Sequence, residues 1–234
     1  VVTGCNKGIG KKILEVFSEN RATVFACVRN IDEEFKSFSN ELTKKFNNQI
    51  IPIQFDLNDE RKIKEAVNNI LALNKPIDIL VNNAATIHTA IFQMTSIKKL
   101  KEIFEINFFS QTIFTQYILK SMIKNKKGSI VYISSSSALD GNEGRSAYAA
   151  SKAAIISQSK VLSRELGVHN IRVNSIAPGL TNTDMMKENH QKEIVNEVLS
   201  RTSLRRIADP KEIANIVLGS MRSVMPTRTG TAPI

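Results

Sequence analysis

At 234 residues, with 42% apolar and 23% charged side chains, the chain has enough apolar material for a sizeable α/β core and lacks the composition of a disordered protein. No run of 18 or more apolar residues is present, so no membrane-spanning helix is expected, and no charged stretch followed by an apolar run suggests a secretory leader. The net charge of +10 suits nucleic acid, an acidic protein partner or phosphorylated ligands, but the cations are spread along the chain rather than clustered with aromatics, and a solvated basic surface explains them equally well.

Cys5 and Cys27 lack metal-ligand spacing and fit a reducing cytoplasm. His88, His169 and His190 are scattered, so no metal is expected.

Val1-Val2 runs straight into Thr3-Gly4-Cys5-Asn6-Lys7-Gly8-Ile9-Gly10, which reads as a strand end, a glycine-rich turn and the start of a helix. Ile9, Ile13, Val16 and Phe17 give that helix one apolar face. The strand is read as clipped, since strands usually run about five or six residues. Gly4 permits the tight turn, Gly8 a close backbone approach and Gly10 close packing of helix on strand. The helix start then offers unpaired N–H groups and a positive dipole end to a pyrophosphate.

Ala22 to Val28 reads as a second strand ending at Arg29-Asn30. In dinucleotide folds an acidic residue near this point takes the ribose 2′-OH, whereas an arginine accommodates a 2′-phosphate. Arg29, with Lys7 inside the glycine turn, therefore favours NADP(H) over NAD(H); two exposed surface cations are the alternative. Ile51 to Phe55 is a third strand closed by Asp56-Leu57, and the helix after it carries Ile63, Ala66, Val67, Ile70 and Leu71 on one face. Ile77 to Val81 is a fourth strand ending in Asn82-Asn83-Ala84-Ala85.

A long helix is expected from about Ile97 to Lys124, and its stripe of Leu100, Ile103, Phe104 and Phe108 also contains Asn107. An amide on such a face must find partners, so Asn107 is either a structural tie or a site residue. Gly128 to Ile133 is a fifth strand, followed by Ser134-Ser135-Ser136-Ser137. A helix to about Leu166, a sixth strand from Ile171 to Ile176 closed by Pro178-Gly179, and a further helical stretch complete the pattern. This alternation predicts a doubly wound, Rossmann-type parallel sheet with helices on both faces, in a single domain over residues 1–234.

Tyr148 and Lys152 lie four residues apart and share one helix face. A free phenol has a pKa of about 10. A neighbouring ammonium favours the phenolate and brings that value toward the range a general acid needs at neutral pH. Alone the pair recurs by chance on solvated helices; the surrounding motifs give it weight.

Together the motifs resemble the short-chain dehydrogenase/reductase family from Val1 to about Leu218. The resemblance implies a catalytic tetrad of Asn107, Ser135, Tyr148 and Lys152, with Ser135 at the family's spacing of thirteen residues before Tyr148. It implies cofactor contacts from Gly4, Asn6, Lys7, Gly8, Ile9 and Gly10 in the turn, from Arg29, and from Asp56 and Leu57 near the adenine. Asn83 and Ala84 match the family's Asn-Asn-Ala-Gly element, although Ala85 replaces the glycine and a small shift of that loop is expected. Pro178, Gly179 and Thr183 match the segment that holds the nicotinamide carboxamide, and Tyr148 and Lys152 also face the cofactor.

The activity so implied is carbonyl reduction with NADPH: Ser135 polarises the carbonyl, Tyr148 donates the proton, Lys152 assists it and binds the nicotinamide ribose, and Asn107 holds a water linking Lys152 to solvent. Ser146 to Lys152 and Arg172 to Gly179 are similar to 3-oxoacyl-ACP reductases. That similarity implies a thioester substrate on an acidic carrier protein, which suits Lys124, Lys126 and Lys127. Reduction of a sugar or other small ketone, and non-catalytic dinucleotide binding on the same fold, are the alternatives. A nucleic-acid partner is not expected, because no helix-turn-helix, zinc or aromatic-platform signature is present. A homo-oligomer, dimer or tetramer, is implied where the C-terminus permits. After Leu218 the sequence departs from the family pattern, and residues 219–234 show no strand alternation. A slipped reading frame near Leu218 would produce such a departure. The last strand is expected to be missing or altered, leaving a sheet edge exposed.

Overall fold

A computed structural model of the chain describes residues 1–189, 192–222 and 232–233. β1 (Val2–Thr3) passes through the glycine turn into α1 (Gly8–Glu19), followed by β2 (Val24–Val28), α2 (Glu33–Phe46), β3 (Ile50–Gln54) and α3 (Glu60–Ala72). β4 (Ile79–Asn82) leads to α4 (Ile97–Phe104), a π-helical turn (Glu105–Phe109) and α5 (Ser110–Asn125). β5 (Gly128–Ile133), the short α6 (Ser137–Asp140), α7 (Ser146–Leu166) and β6 (Ile171–Ala177) follow. α8 (Asp184–Asn189), α9 (Lys192–Arg201), α10 (Pro210–Arg222) and β7 (Ala232–Pro233) close the described chain.

The strands form one parallel sheet in the order β3-β2-β1-β4-β5-β6-β7. Strand order reverses between β1 and β4, which opens a crevice at the carboxyl ends of these strands. Successive side chains of each strand serve opposite faces, so the sheet carries two apolar cores. On one face Phe25, Leu80, Ile130 and Tyr132 pack under α3, α5 and α7 through Ile63, Ile70, Phe114, Ile118 and Ile155. On the other, Val2, Ala26, Val81 and Val131 pack under α1, α2 and α10 through Ile13, Phe17, Phe35, Leu42 and Val217. Burial on both faces is why these strands read as continuous apolar runs.

Three features differ from the sequence reading. α2 has no counterpart in it: Phe35 and Leu42 are buried but set among charged residues, while Asp32 caps the helix by accepting from the Phe35 N–H. The long helix from Ile97 is broken by the π turn, whose extra residue per turn reorients the side chains after Phe104. The last strand is altered but not missing. Ala232 and Pro233 pair in parallel with Ile176 and Ala177, and a two-residue parallel strand needs backbone groups rather than side-chain alternation. Residues 223–231 and 234, part of the atypical segment, lie outside the described residues.

Candidate active site

The crevice is a cleft of about 560 Å³ along the carboxyl ends of β1, β2, β4, β5 and β6. It brings together Gly4, Asn6, Lys7, Gly8, Ile9, Arg29, Asp56, Leu57, Asn83, Ala84, Ser135, Tyr148, Lys152, Pro178, Gly179 and Thr183. Of the catalytic and cofactor residues expected from sequence, Gly10 and Asn107 do not line it: Gly10 packs against the Gly4 carbonyl and Asn107 bonds to Thr86 of the lining; nor do Lys124, Lys126 and Lys127 line it.

The glycine turn has steric reasons for its composition. Gly4 has a φ of +73°, and a Cβ there would stand 3.0 Å from the Ala84 Cα. A Cβ on Gly10 would sit 1.9 Å from the Gly4 carbonyl oxygen and 2.6 Å from Asn83 Nδ2, so Gly10 packs against the turn itself. Gly8, also at positive φ, lies under Thr183, where a Cβ would come 3.3 Å from the methyl group. Thr3 knots the turn to the end of β4: its Oγ1 accepts from the N–H groups of Asn83 (3.0 Å) and Ala84 (3.1 Å). The Asn83 amide donates back to the carbonyls of Thr3 and Gly4. The N-cap of α1, Lys7, makes no side-chain cap bond, and no acidic residue lies in the first turn. The helix start therefore presents uncapped N–H groups to the cleft. This glycine cradle with a cationic rim fits the pyrophosphate of a dinucleotide.

At this end Lys7 and Arg29 are exposed at the cleft wall. Asp56 accepts from the Asn58 backbone N–H at 2.9 Å, closing a turn after β3.

At the other end the four serines diverge. Ser134 is buried and donates to the Lys152 carbonyl at 2.9 Å, tying β5 to α7. Ser135 lines the cleft with Tyr148 and accepts from the Ser137 N–H at 3.2 Å. The Ser136 N–H donates to the Pro178 carbonyl at 2.9 Å, joining this loop to the end of β6.

Lys152 is 1% exposed and donates to the Ile133 carbonyl at 2.7 Å, with Nζ 5.8 Å from the centre of the Tyr148 ring. Burial pulls its pKa down to about 7. Tyr148 is 9% exposed, and burial pushes its pKa above 10, opposed by the Ser135 hydroxyl and by the charge of Arg145. The direct lowering of the phenol by Lys152 expected from their spacing is therefore corrected. In the protein alone, desolvation outweighs the cations, and an ammonium that titrates near neutrality carries little fixed charge.

Asn107 is fully buried in the π turn. Its Oδ1 accepts from the Thr86 N–H at 2.8 Å, and its Nδ2 donates to the Thr86 carbonyl at 2.9 Å and to Ser151 Oγ at 3.1 Å. The side chain thus ties the loop after β4 to α7 between Tyr148 and Lys152.

Arg145, at the N-terminus of α7, went unnoticed in the sequence. It is 4% exposed, lines the cleft, and donates from Nη2 to the Asn189 carbonyl at 2.8 Å. Its contact lies 44 positions away in the chain, so the sequence alone carries no signal for it. Met185, Met186 and Glu188 of α8 also line this end and carried no signal in isolation. Among the described residues no three His, Cys, Asp or Glu side chains are placed to hold a metal, and no helix is long and apolar enough to cross a membrane.

A doubly wound sheet with a glycine-turn cradle and a Ser-Tyr-Lys cluster at one switch-point cleft defines a nicotinamide-dinucleotide oxidoreductase fold. A sequence profile of the short chain dehydrogenase family matches residues 1–194, and the chain belongs to that family. It is an NAD(P)-dependent oxidoreductase acting on the CH–OH/C=O pair. The chain is 34% identical over 218 residues to 3-oxoacyl-(acyl-carrier-protein) reductase FabG of Aquifex aeolicus, covering 93% of this chain and 87% of the relative. It is 32% identical over 218 residues to 7alpha-hydroxysteroid dehydrogenase of Escherichia coli K12, covering 93% and 84%. A crystal structure described as an NAD(P)-dependent gluconate 5-dehydrogenase from Beutenbergia cavernae, with bound NADP, superposes with a TM-score of 0.85 at 26% identity, covering 93% of this chain and 87% of that one.

Proposed function

We propose that residues 1–234 act as one catalytic domain that reduces 3-oxoacyl thioesters, presented on an acyl carrier protein, with NADPH as the preferred reductant. The observation that carries this reading is the single cleft with Ser135, Tyr148 and Lys152 at one end and the glycine cradle flanked by Lys7 and Arg29 at the other. The relatives named as 3-oxoacyl reductases support the substrate class, and the basic surface suits an acidic carrier. A homo-oligomer belongs to the same proposal. So does a cytoplasmic location, with which the free Cys5 and Cys27 thiols agree.

NADPH held by the glycine cradle, Lys7 and Arg29 would supply a hydride for the carbonyl carbon. Ser135 donates a hydrogen bond to the carbonyl oxygen and orients it toward Tyr148. Charge developing on that oxygen is met by the Tyr148 hydroxyl, which transfers its proton as the alkoxide forms. Lys152, close to half-protonated near neutral pH, exchanges a proton and holds the nicotinamide ribose. Asn107 positions: it fixes Thr86 and Ser151 on either side of the reacting groups. Lys7 and Arg29 meet the 2′-phosphate of the adenosine ribose.

The test is NADPH consumption with acetoacetyl thioesters, with Tyr148→Phe in parallel. Loss of a general acid is expected to lower kcat by about 100- to 10,000-fold with dinucleotide binding retained. Turnover by Tyr148→Phe at the unmodified rate would remove the assignment of the proton donor. Absence of turnover on thioesters alongside turnover on another ketone would remove the substrate class.

A further inference from the structure

Arg145 contradicts the local rules of its position. It occupies the N-cap of α7, where the helix dipole disfavours a cation, and makes no side-chain cap bond. It is also almost completely buried, and desolvation pulls its pKa below the usual guanidinium value. Residues that break such rules tend to do so at functional sites.

What the guanidinium reaches is the far side of the cleft. Nη2 donates to the carbonyl of Asn189, the last residue of α8. Thr183 caps the opposite end of α8 by accepting from the Met186 N–H at 3.2 Å, and its methyl group abuts Gly8 of the cofactor turn. α8 is therefore anchored at one end to the cradle and at the other to the helix carrying Tyr148, with Met185, Met186 and Glu188 facing the cleft between the anchors. Among the described residues, the charged and titratable groups lining the cleft are Lys7, Cys27, Arg29, Asp56 and Asp184 toward the cradle, and Arg145, Tyr148, Lys152 and Glu188 toward the reacting end. Glu188, from the α8 side, opposes a cation's effect on the phenol, whereas Arg145 favours the phenolate. Of the two cations, Arg145 keeps its charge across neutral pH, while burial leaves Lys152 close to half-protonated near pH 7.

We propose that Arg145 is a positioning residue of the reaction: it straps α8 over the reacting end of the cleft and sets a fixed positive charge three residues before Tyr148, so that an ordered roof and an acidic tyrosine come together. This rests on Tyr148 being the proton donor. It goes beyond that assignment in naming what holds the donor and its roof in register.

The test uses the protein with oxidised dinucleotide bound and needs no carbonyl substrate. The Cζ resonance of Tyr148, assigned by its loss in Tyr148→Phe, is followed between about pH 6 and about 10.5, and amide hydrogen exchange is followed over α8. In Arg145→Met the tyrosine titration is expected to move upward, its proton affinity rising about tenfold, with α8 exchanging about tenfold faster. Arg145→Lys keeps the charge but loses the planar fork. Its tyrosine titration is expected to stay within about threefold of the unmodified protein while α8 still loosens. An unchanged Tyr148 titration in folded Arg145→Met, or equal displacement in the Met and Lys variants, overturns the role assigned to the charge. Unchanged α8 exchange overturns the strap. Should Arg145→Met not fold, the Lys variant alone decides: a tyrosine moved tenfold, or an α8 that does not loosen, overturns the proposal. Failure of the thioester assay leaves both readouts intact, so the substrate reading and the role of Arg145 fall separately.

Discussion

Lys152→Met tests the electrostatics of the site without reference to any substrate. Lys152 is fully enclosed, and burial pulls its pKa from 10.5 to about 7. Between these values the unfolded chain carries a proton that the folded protein lacks. Stability therefore rises with pH across that window, and the destabilisation is fully present below about pH 7. Lowering the value from 10.5 to about 7 corresponds to about 5 kcal/mol, at about 1.4 kcal/mol per tenfold change in proton affinity. Cys5 and Cys27 act in the opposite sense. Burial pushes both thiols up, Cys27 to about 12, so their contribution is lost as pH rises above 9. Both thiols are present in either protein, and comparison cancels them. Methionine removes the titration, and it also removes the hydrogen bond to the Ile133 carbonyl, a pH-independent cost of about 1 to 3 kcal/mol. In urea denaturation between about pH 7.5 and about 9.5, the stability of the unmodified protein relative to Lys152→Met is expected to climb by about 2 to 3 kcal/mol at unchanged m. Two curves that stay parallel over this range would refute the inference that Lys152 is held largely deprotonated by burial.

Two further substitutions probe the cradle. Gly10→Ala forces a methyl group into the Gly4 carbonyl and the Asn83 amide, so the turn itself must move. Overpacking of this kind costs about 1 to 3 kcal/mol, and dinucleotide affinity measured by calorimetry is expected to fall more than tenfold; wild-type affinity would show that the turn is not the binding cradle. Replacing Lys7 and Arg29 together by serine is expected to lower the preference for NADPH over NADH by about 10- to 100-fold, since a charge-assisted hydrogen bond contributes about 1.5 to 3 kcal/mol. An unchanged ratio of the two dissociation constants would dismiss these residues as selectors.

Much of this site was legible from the chain alone because it is written in short-range order. The turn from Thr3 to Gly10, the ends of β2, β3 and β4 at Arg29, Asp56 and Asn83, and the Ser135–Tyr148 spacing are each local signals. Chain order then does the rest: in a parallel doubly wound sheet every strand ends on the same edge, so motifs at successive strand ends must converge. The apolar faces of α1 and α3 were legible because their burial is expressed as periodicity, and β5 because burial on both faces makes it a continuous apolar run.

What remained hidden depends on groups far apart in sequence. The π turn at Glu105–Phe109 breaks a helical repeat that continues smoothly on paper, and the partners of Asn107 lie 21 and 44 positions away at Thr86 and Ser151. Arg145 is indistinguishable from a solvated cation until α8 is folded against it. The state of Tyr148 and Lys152 is the sharpest case. Their spacing alone calls for an ammonium that acidifies a phenol, but burial moves the two groups the other way, Tyr148 up and Lys152 down. Residue order determined which groups meet at the cleft; tertiary packing decided how they ionise there, because desolvation is set by what surrounds a group in space.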